Sequence, residues 1–226
     1  ILYLGRREQA REMLEAVMVD GERHNVLRAV TFALSNLASI AILDQRYECA
    51  LALSERAIEI RGRIGGRVGL VQPVTSLAEL RLRLGMINEA EQGLRFGQSA
   101  CGTSLPLSRY AYFAKVAACL HLERGDTARA AKEIGIALSG ASCSGEGTVL
   151  AQCHRIAARI ALADGDLARA RSSLDLAAKL RHTRFGQAEL AVLEAAWARA
   201  SGKPYLDAAR EAHAQAQTVD DPESLR

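Results

Sequence analysis

The chain has 226 residues and a formal net charge of +3 carried by interspersed Arg, Asp and Glu, so it lacks the concentrated basic face of a nucleic-acid binder. With 49% hydrophobic, 24% charged and only 4% aromatic residues, it is composed as an ordinary folded protein whose apolar positions are mostly Ala and Leu. No run of 18 or more apolar residues could span a membrane, and Ile1-Leu2-Tyr3-Leu4 passes straight into Arg6-Arg7-Glu8, unlike a signal peptide. Ala is the best helix former and strand-favouring residues are thin, which predicts an all-α fold. Pro73, Pro106, Pro204 and Pro222 each fall at an expected helix start, loop or tail. The five cysteines, Cys49, Cys101, Cys119, Cys143 and Cys153, are odd in number and without paired spacing. They read as reduced thiols of a cytoplasmic protein.

Taken in chain order, the sequence repeats. Gly5 to Ala10, Gln45 to Ala50, Gly85 to Ala90, Gly125 to Ala130 and Gly165 to Ala170 align, so the terminal alanines recur every 40 residues. A weaker sixth copy runs from Gly202 to Ala208. In each copy an apolar helix leads in, as in Leu34 to Leu43, and a Gly permits the left-handed conformation that ends it. A polar turn follows, and the Ala opens the packed face of a second helix. In the fifth copy Leu167, Ala170, Leu174, Ala177 and Ala178 follow helical spacing and predict one buried stripe. The chain therefore starts in the second helix of repeat one, contains four full pairs and ends in a degenerate pair. Arg61 to Gly66, Cys101 to Ser104 and Ser139 to Gly145 carry turn chemistry and are expected as loops between pairs. One repeat domain is expected over 1–217, with a frayed tail or linker over 218–226. The absence of an initial Met suggests a piece of a larger protein.

The Gly-x-x-x-x-Ala turn, with a large residue four after the Ala and a small one three later, reads Gly125, Ala130, Ile134, Ala137 and again Gly165, Ala170, Leu174, Ala177. This pattern resembles the tetratricopeptide repeat signature from Gly5 to about Gln217. The resemblance implies an all-α, right-handed superhelical solenoid of antiparallel helix pairs, about five and a half repeats long. The period is 40 where that family has 34, the family's first-helix Trp and Tyr are mostly missing, and its Leu-Gly pair becomes Leu37-Ala38 or Ala157-Ala158. Long, Ala-rich repeats of this sort are similar to those of bacterial MalT-like regulators and signalling proteins. HEAT-like stacking is the alternative fold.

No constellation of catalytic residues is legible, and no cofactor is expected. Gly202-Lys203-Pro204 lacks the upstream Gly and the Ser or Thr of a phosphate-binding loop. The Gly- and Ser-rich run Ser139 to Thr148 could hold an anion on its amides, but reads better as a connector. Cys119 with His121 and Cys153 with His154 lie on neighbouring first helices. Residues two apart on a helix point about 200° apart and adjacent ones about 100°, so neither pair presents two metal ligands together. Cys143 has no His or acid in defined relation to it as a nucleophile would need. No enzyme and no metal site are therefore expected.

The resemblance does imply a concave surface lined by first helices. The family's groove positions carry over to Phe32, Ser35, Asn36 and Ser39, then Gln72, Thr75 and Glu79 with Arg83 near the rim, then Tyr112, Lys115 and Cys119, and finally Gln152, Arg155 and Arg159. Lys115, Arg155 and Arg159 form a basic trend. Arg155 and Arg159 are four apart, either to hold a carboxylate or phosphate of a partner or as solvated side chains with acids nearby to pair with. Ser35 and Ser39 stand where chaperone-binding members carry Lys and Asn, so their carboxylate clamp is not reproduced. The leading expectation is a scaffold binding a protein or peptide, acidic or C-terminal, with no direct nucleic-acid contact and no membrane partner. The alternative is the ligand- or effector-sensing domain of a MalT-like regulator with a small molecule in the superhelix. Homodimerisation through Leu14, Val17 and Met18 is the third.

Overall fold

The computed structural model describes residues 7–65, 67–101, 107–145, 147–180 and 184–220, and among them the regular structure is helical throughout. The chain forms two compact units, 1–105 and 106–226. The first holds α1 (Arg7–Arg23), α2 (Leu27–Leu43), α3 (Tyr47–Ile64), a short 3-10 turn (Arg67–Leu70), α4 (Val71–Arg83) and α5 (Ile87–Cys101). The second holds α6 (Leu107–Glu123), α7 (Thr127–Ser144), α8 (Gly147–Ala163), α9 (Leu167–Ala178), α10 (Arg184–Ala200) and α11 (Leu206–Asp220). The helices pack most heavily as the pairs α2/α3, α4/α5, α6/α7, α8/α9 and α10/α11, with α1 standing before the first pair. This is the pairing expected from the repeat.

The turn inside each pair has a common chemistry. Gly85, Gly125, Gly165 and Gly202 take φ of +74°, +75°, +77° and +69°. At Gly165 the glycine N–H donates to Leu162 O at 3.2 Å and the Asp166 N–H donates to Ala161 O at 2.9 Å, which consumes two carbonyls the helix end would leave bare. The next helix is then capped from the side, since Asp126 and Asp166 each accept from the N–H three residues on, at Arg129 and Arg169. The second copy has no glycine, and Gln45 itself adopts φ +58°. Gly5, the turn residue of the first copy, lies outside the described residues.

The alanines at 10, 50, 90, 130 and 170 are all buried, four of them completely. A methyl is the largest group that fits where a second helix begins against its partner, so any longer side chain would push the pair apart. Ile134 and Leu174 fill the space one turn further on, at 1% and 0% exposure. Each core cluster draws on three consecutive helices. Val30, Leu34 and Ala57 enclose Met18, while Ala41, Ala50 and Leu80 join α2, α3 and α4. In the second unit Ala114, Ala118, Ile134, Cys153 and Ile160 join α6, α7 and α8. Ala158, Leu174 and Leu193 then join α8, α9 and α10. A pair thus buries its remaining apolar face against the helix that follows it, which is the stacking of a helical solenoid.

Several expectations change. Arg61 to Ile64 are the last residues of α3, and Ser139 to Ser144 continue α7, with Gly140 and Ala141 buried. Packing outweighs the roughly 1 kcal/mol that a mid-helix glycine costs. Gly145 ends the helix at φ +69°, and α8 begins at Gly147. In the second expected loop, Cys101 ends α5, and 102–104 lie outside the described residues. In the fifth repeat Ala178 is exposed and Ser173 is buried in its stead. The sixth copy is shifted, because Ala209 makes the first helical bond, to Tyr205 O at 2.8 Å, as Ala170 does to Asp166 O. Lys203-Pro204 is a two-residue insertion, so Ala209 and not Ala208 holds the repeat position. Met18 is packed inward, although Met13 and Val17 remain exposed. Helix α11 runs on to Asp220, past the expected boundary at 217, and 221–226 lie outside the described residues.

Candidate partner-binding surfaces

In the first unit, α2 carries the most open apolar surface among the expected positions. Phe32 is 62% exposed, and Leu43, eleven residues on and therefore on the same face of the helix, is 57% exposed. Between them lie Ser35, Asn36 and Ser39, all small and uncharged. Each gives one donor inside the helix: Ser35 Oγ donates to Thr31 O at 2.8 Å, Asn36 Nδ2 to Phe32 O at 2.8 Å and Ser39 Oγ to Ser35 O at 3.1 Å. The expected set stopped at Ser39 and missed Leu43, which the helical period from Phe32 identifies.

On α4, Gln72 is exposed and Glu79 is half-buried with its carboxylate 3.5 Å from Arg83. Thr75 does not line an open surface. It is 1% exposed, and its hydroxyl donates to Val71 O at 2.7 Å, so burial leaves no polar group unsatisfied. Ser76, one residue further round the helix, is the exposed one.

In the second unit the expected basic trend is a ladder of paired side chains, buried at Lys115 and Arg155 and part-exposed at Arg159. Lys115 is 3% exposed, its Nζ donates to Gln152 Oε1 at 3.0 Å from α6 to α8, and the ammonium lies 4.6 Å from the centre of the Tyr112 ring. Arg155 is 4% exposed and its Nε donates to Glu189 Oε2 at 2.7 Å, from α8 to α10. Gly186 makes room for that guanidinium, since a Cβ there would sit 3.1 Å from Arg155 Nη1. Arg159 Nη2 lies 2.9 Å from Glu123 Oε1 on α6. Both arginines pair with acids, but the expectation of two solvated side chains holds only for the part-exposed Arg159 and not for Arg155, which is buried. Both guanidiniums are committed to carboxylates of adjacent first helices, and two of the three cations are almost out of contact with water. Glu189 and Glu123 went unnoticed in the sequence because both lie more than 30 residues from their arginines.

Cys119 is half-buried against the core that contains Cys153. Burial pushes the Cys153 thiol from 9.0 up to about 11, with nearby Lys115 pulling the other way, so it is a poor nucleophile. Burial also lowers the pKa of His154. Among the described residues no group of three or more His, Cys, Asp or Glu is disposed to hold a metal ion, and no helix is long and apolar enough to cross a membrane.

The fold is similar to that in the crystal structure of BtubC (BKLC) from P. vanneervenii, with a TM-score of 0.68 over 95% of this chain and 91% of that chain. At 16% sequence identity the likeness is one of fold alone. No protein-family model and no curated protein matches the sequence.

Proposed function

We propose that this chain is a protein- or peptide-binding scaffold of the tetratricopeptide kind, working in the cytoplasm, and that the α2 face of the first unit is its principal contact surface. The observation that carries this reading is the contrast between two first helices. On α2 the expected groove positions Phe32, Ser35 and Ser39 are exposed, Phe32 at 62%, and Leu43 beside them is at 57%, while on α8 Arg155, the repeat equivalent of Ser35, is sealed at 4%. Two large apolar side chains held in water on one helical stripe are a standing cost that binding removes. An aromatic anchor of this kind is typical of the residues that dominate interfaces. Cytoplasmic residence rests on the cysteine usage of the sequence.

Panning a library of random dodecapeptides displayed on phage against the intact chain tests the reading. Enrichment of peptides whose binding is lost on Phe32→Glu supports it. Phe32 is exposed, so the substitution leaves the core untouched. No enrichment, or peptides that bind the variant as tightly as the parent chain, would overturn it.

A further inference from the structure

We infer that the groove between α1 and α2 seats one α-helix of a partner protein, parallel to α2 and carrying small apolar residues four apart at its middle. This rests on the binding reading above and adds the kind of element that is bound.

The repeat supplies the first argument. Leu14 and Val17 of α1 stand three 40-residue periods before Ile134 and Ala137 of α7, and Phe32 and Asn36 of α2 stand likewise before Gln152 and Ile156 of α8. In the second unit the groove between α7 and α8 is filled by α6. Ala114 and Ala118 share a core with Ile134, Ala137 and Ile156, and Lys115 Nζ reaches Gln152 Oε1 at 3.0 Å. Ile134 and Ala137 are thereby sealed from water. At the equivalent seat in the first unit Val17 is 40% exposed, and Met13, one turn from it, is 52% exposed. Phe32 forms the opposite wall. The groove thus continues the interface by which the repeats stack, with its apolar walls left in water.

The shape of the seat selects a helix. Packed helices lie about 8–10 Å apart, and a further helix fits the groove between two of them with its own hydrogen bonds complete. An extended segment would bring unpaired N–H and C=O groups against Val17 and Phe32, which offer them no partner. In the second unit Ala114 and Ala118, four apart, present one methyl each to the groove. Val17 is larger than its equivalent Ala137, so the incoming helix needs residues at least as small where it crosses α1.

Charge separates the middle of the seat from its ends. Glu12, Arg23, Arg28 and Asp20 with its partner His24 are exposed around the groove and carry both signs. Beyond Leu43, Asp44 is paired with Arg7, Arg11 and Arg46. Between these groups Met13, Val17, Phe32 and Asn36 offer no counter-charge. The bound helix is therefore apolar over its central two turns, with its charged residues towards its ends.

Length decides the source. The first helices α2, α6 and α8 have 17 residues each. No stretch outside the described helices exceeds six residues, and each helix already packs within the stack. Neither these 226 residues nor a second copy of them has such a helix to spare, so a partner protein provides it.

Peptides enriched by the panning are titrated by fluorescence anisotropy against the intact chain and against Val17→Lys, with far-UV circular dichroism of each complex. Val17 is exposed, so the unliganded spectrum of the variant should match that of the parent chain. Helix content should rise on binding. Pro at the central position of the peptide should weaken binding at least about tenfold, and so should Val17→Lys. Peptides that bind without gaining helix, that tolerate the central Pro, or that bind Val17→Lys as tightly as the parent chain overturn this inference. A chain that sediments as a dimer, and as a monomer once Val17 is Lys, assigns the groove to a second copy and overturns it too. The binding reading survives those outcomes if capture still depends on Phe32. A library that yields no ligand removes both.

Discussion

Arg155 Nε donates to Glu189 Oε2 at 2.7 Å, joining α8 to α10 through a residue that is only 4% exposed. The pair holds two first helices of adjacent repeats in register, and its neighbour Lys115–Gln152 does the same between α6 and α8. A buried ion pair adds little net stability over an apolar pair, but a buried charge left alone is expensive. Glu189→Ala should therefore destabilise the second unit by about 2 kcal/mol, below the usual range for a fully buried pair because the Glu189 side chain is 27% exposed. Adding Arg155→Met should recover most of that loss. Urea unfolding of the three chains checks this, and an unchanged midpoint for Glu189→Ala would refute the account.

A side chain at Gly186 should be costly while Arg155 is present. A Cβ would meet the guanidinium at 3.1–3.2 Å, so Gly186→Ala should cost about 1 kcal/mol. The same change in an Arg155→Met background should be neutral or stabilising, because alanine is the better helix former. A cost unchanged by the background would show that the close approach is not its cause.

The turn of the second copy carries avoidable strain. Gln45 sits at φ +58° where the other five copies carry glycine, and a side chain in that region costs about 1 kcal/mol or more. Gln45→Gly should raise the unfolding midpoint of the first unit, and Gly165→Ala, at φ +77°, should lower that of the second. A fall on Gln45→Gly would mean that the glutamine side chain contributes more than its backbone costs.

Leu174 is fully buried between α8, α9 and α10, and Leu176, two residues on, is 44% exposed. Leu174→Ala should cost about 3 kcal/mol and Leu176→Ala less than about 0.5 kcal/mol. Equal effects in thermal unfolding would place α9 in a different rotation about its axis.

Stability should fall in alkali. The Cys153 thiol ionises at about 11 when folded against 9.0 when exposed, so between those values the unfolded chain holds fewer protons and each rise in pH favours it. The contribution is complete below pH 9 and lost as pH rises through 11. Cys153→Ala should flatten that part of the profile, measured as the urea midpoint between pH 8.5 and 10.5. A slope that survives the substitution would assign the effect to another group. His154 adds the opposite limb: burial lowers its pKa, so the unfolded chain takes up protons first and stability falls as pH drops below 6.5.

The helix pairs and their turns were legible because they depend on local demands. A small residue is needed where two helices first touch, and a residue free to take positive φ is needed just before it. Those demands recur at fixed distances, so Ala130, Gly165 and Leu174 could be assigned from spacing alone. The α2 positions Phe32 to Ser39 came instead from the resemblance, and Leu43 was missed although the helical period from Phe32 leads to it. Thr75, Ser139 to Ser144 and the shifted sixth copy were not legible, because packing against other helices overrode what each residue prefers locally.

Composition and period by themselves determined an all-helical chain of stacked pairs and the register of five of its turns. Only the tertiary structure decided what the charged first-helix positions do. Whether Lys115, Arg155 and Arg159 face a partner or one another's helices depends on acids and a glycine that are distant in sequence and adjacent in space. A local pattern cannot encode that meeting, because it is formed by the stacking itself. That stacking turned three expected contacts for a partner into an internal ladder and left Phe32 and Leu43 open to water.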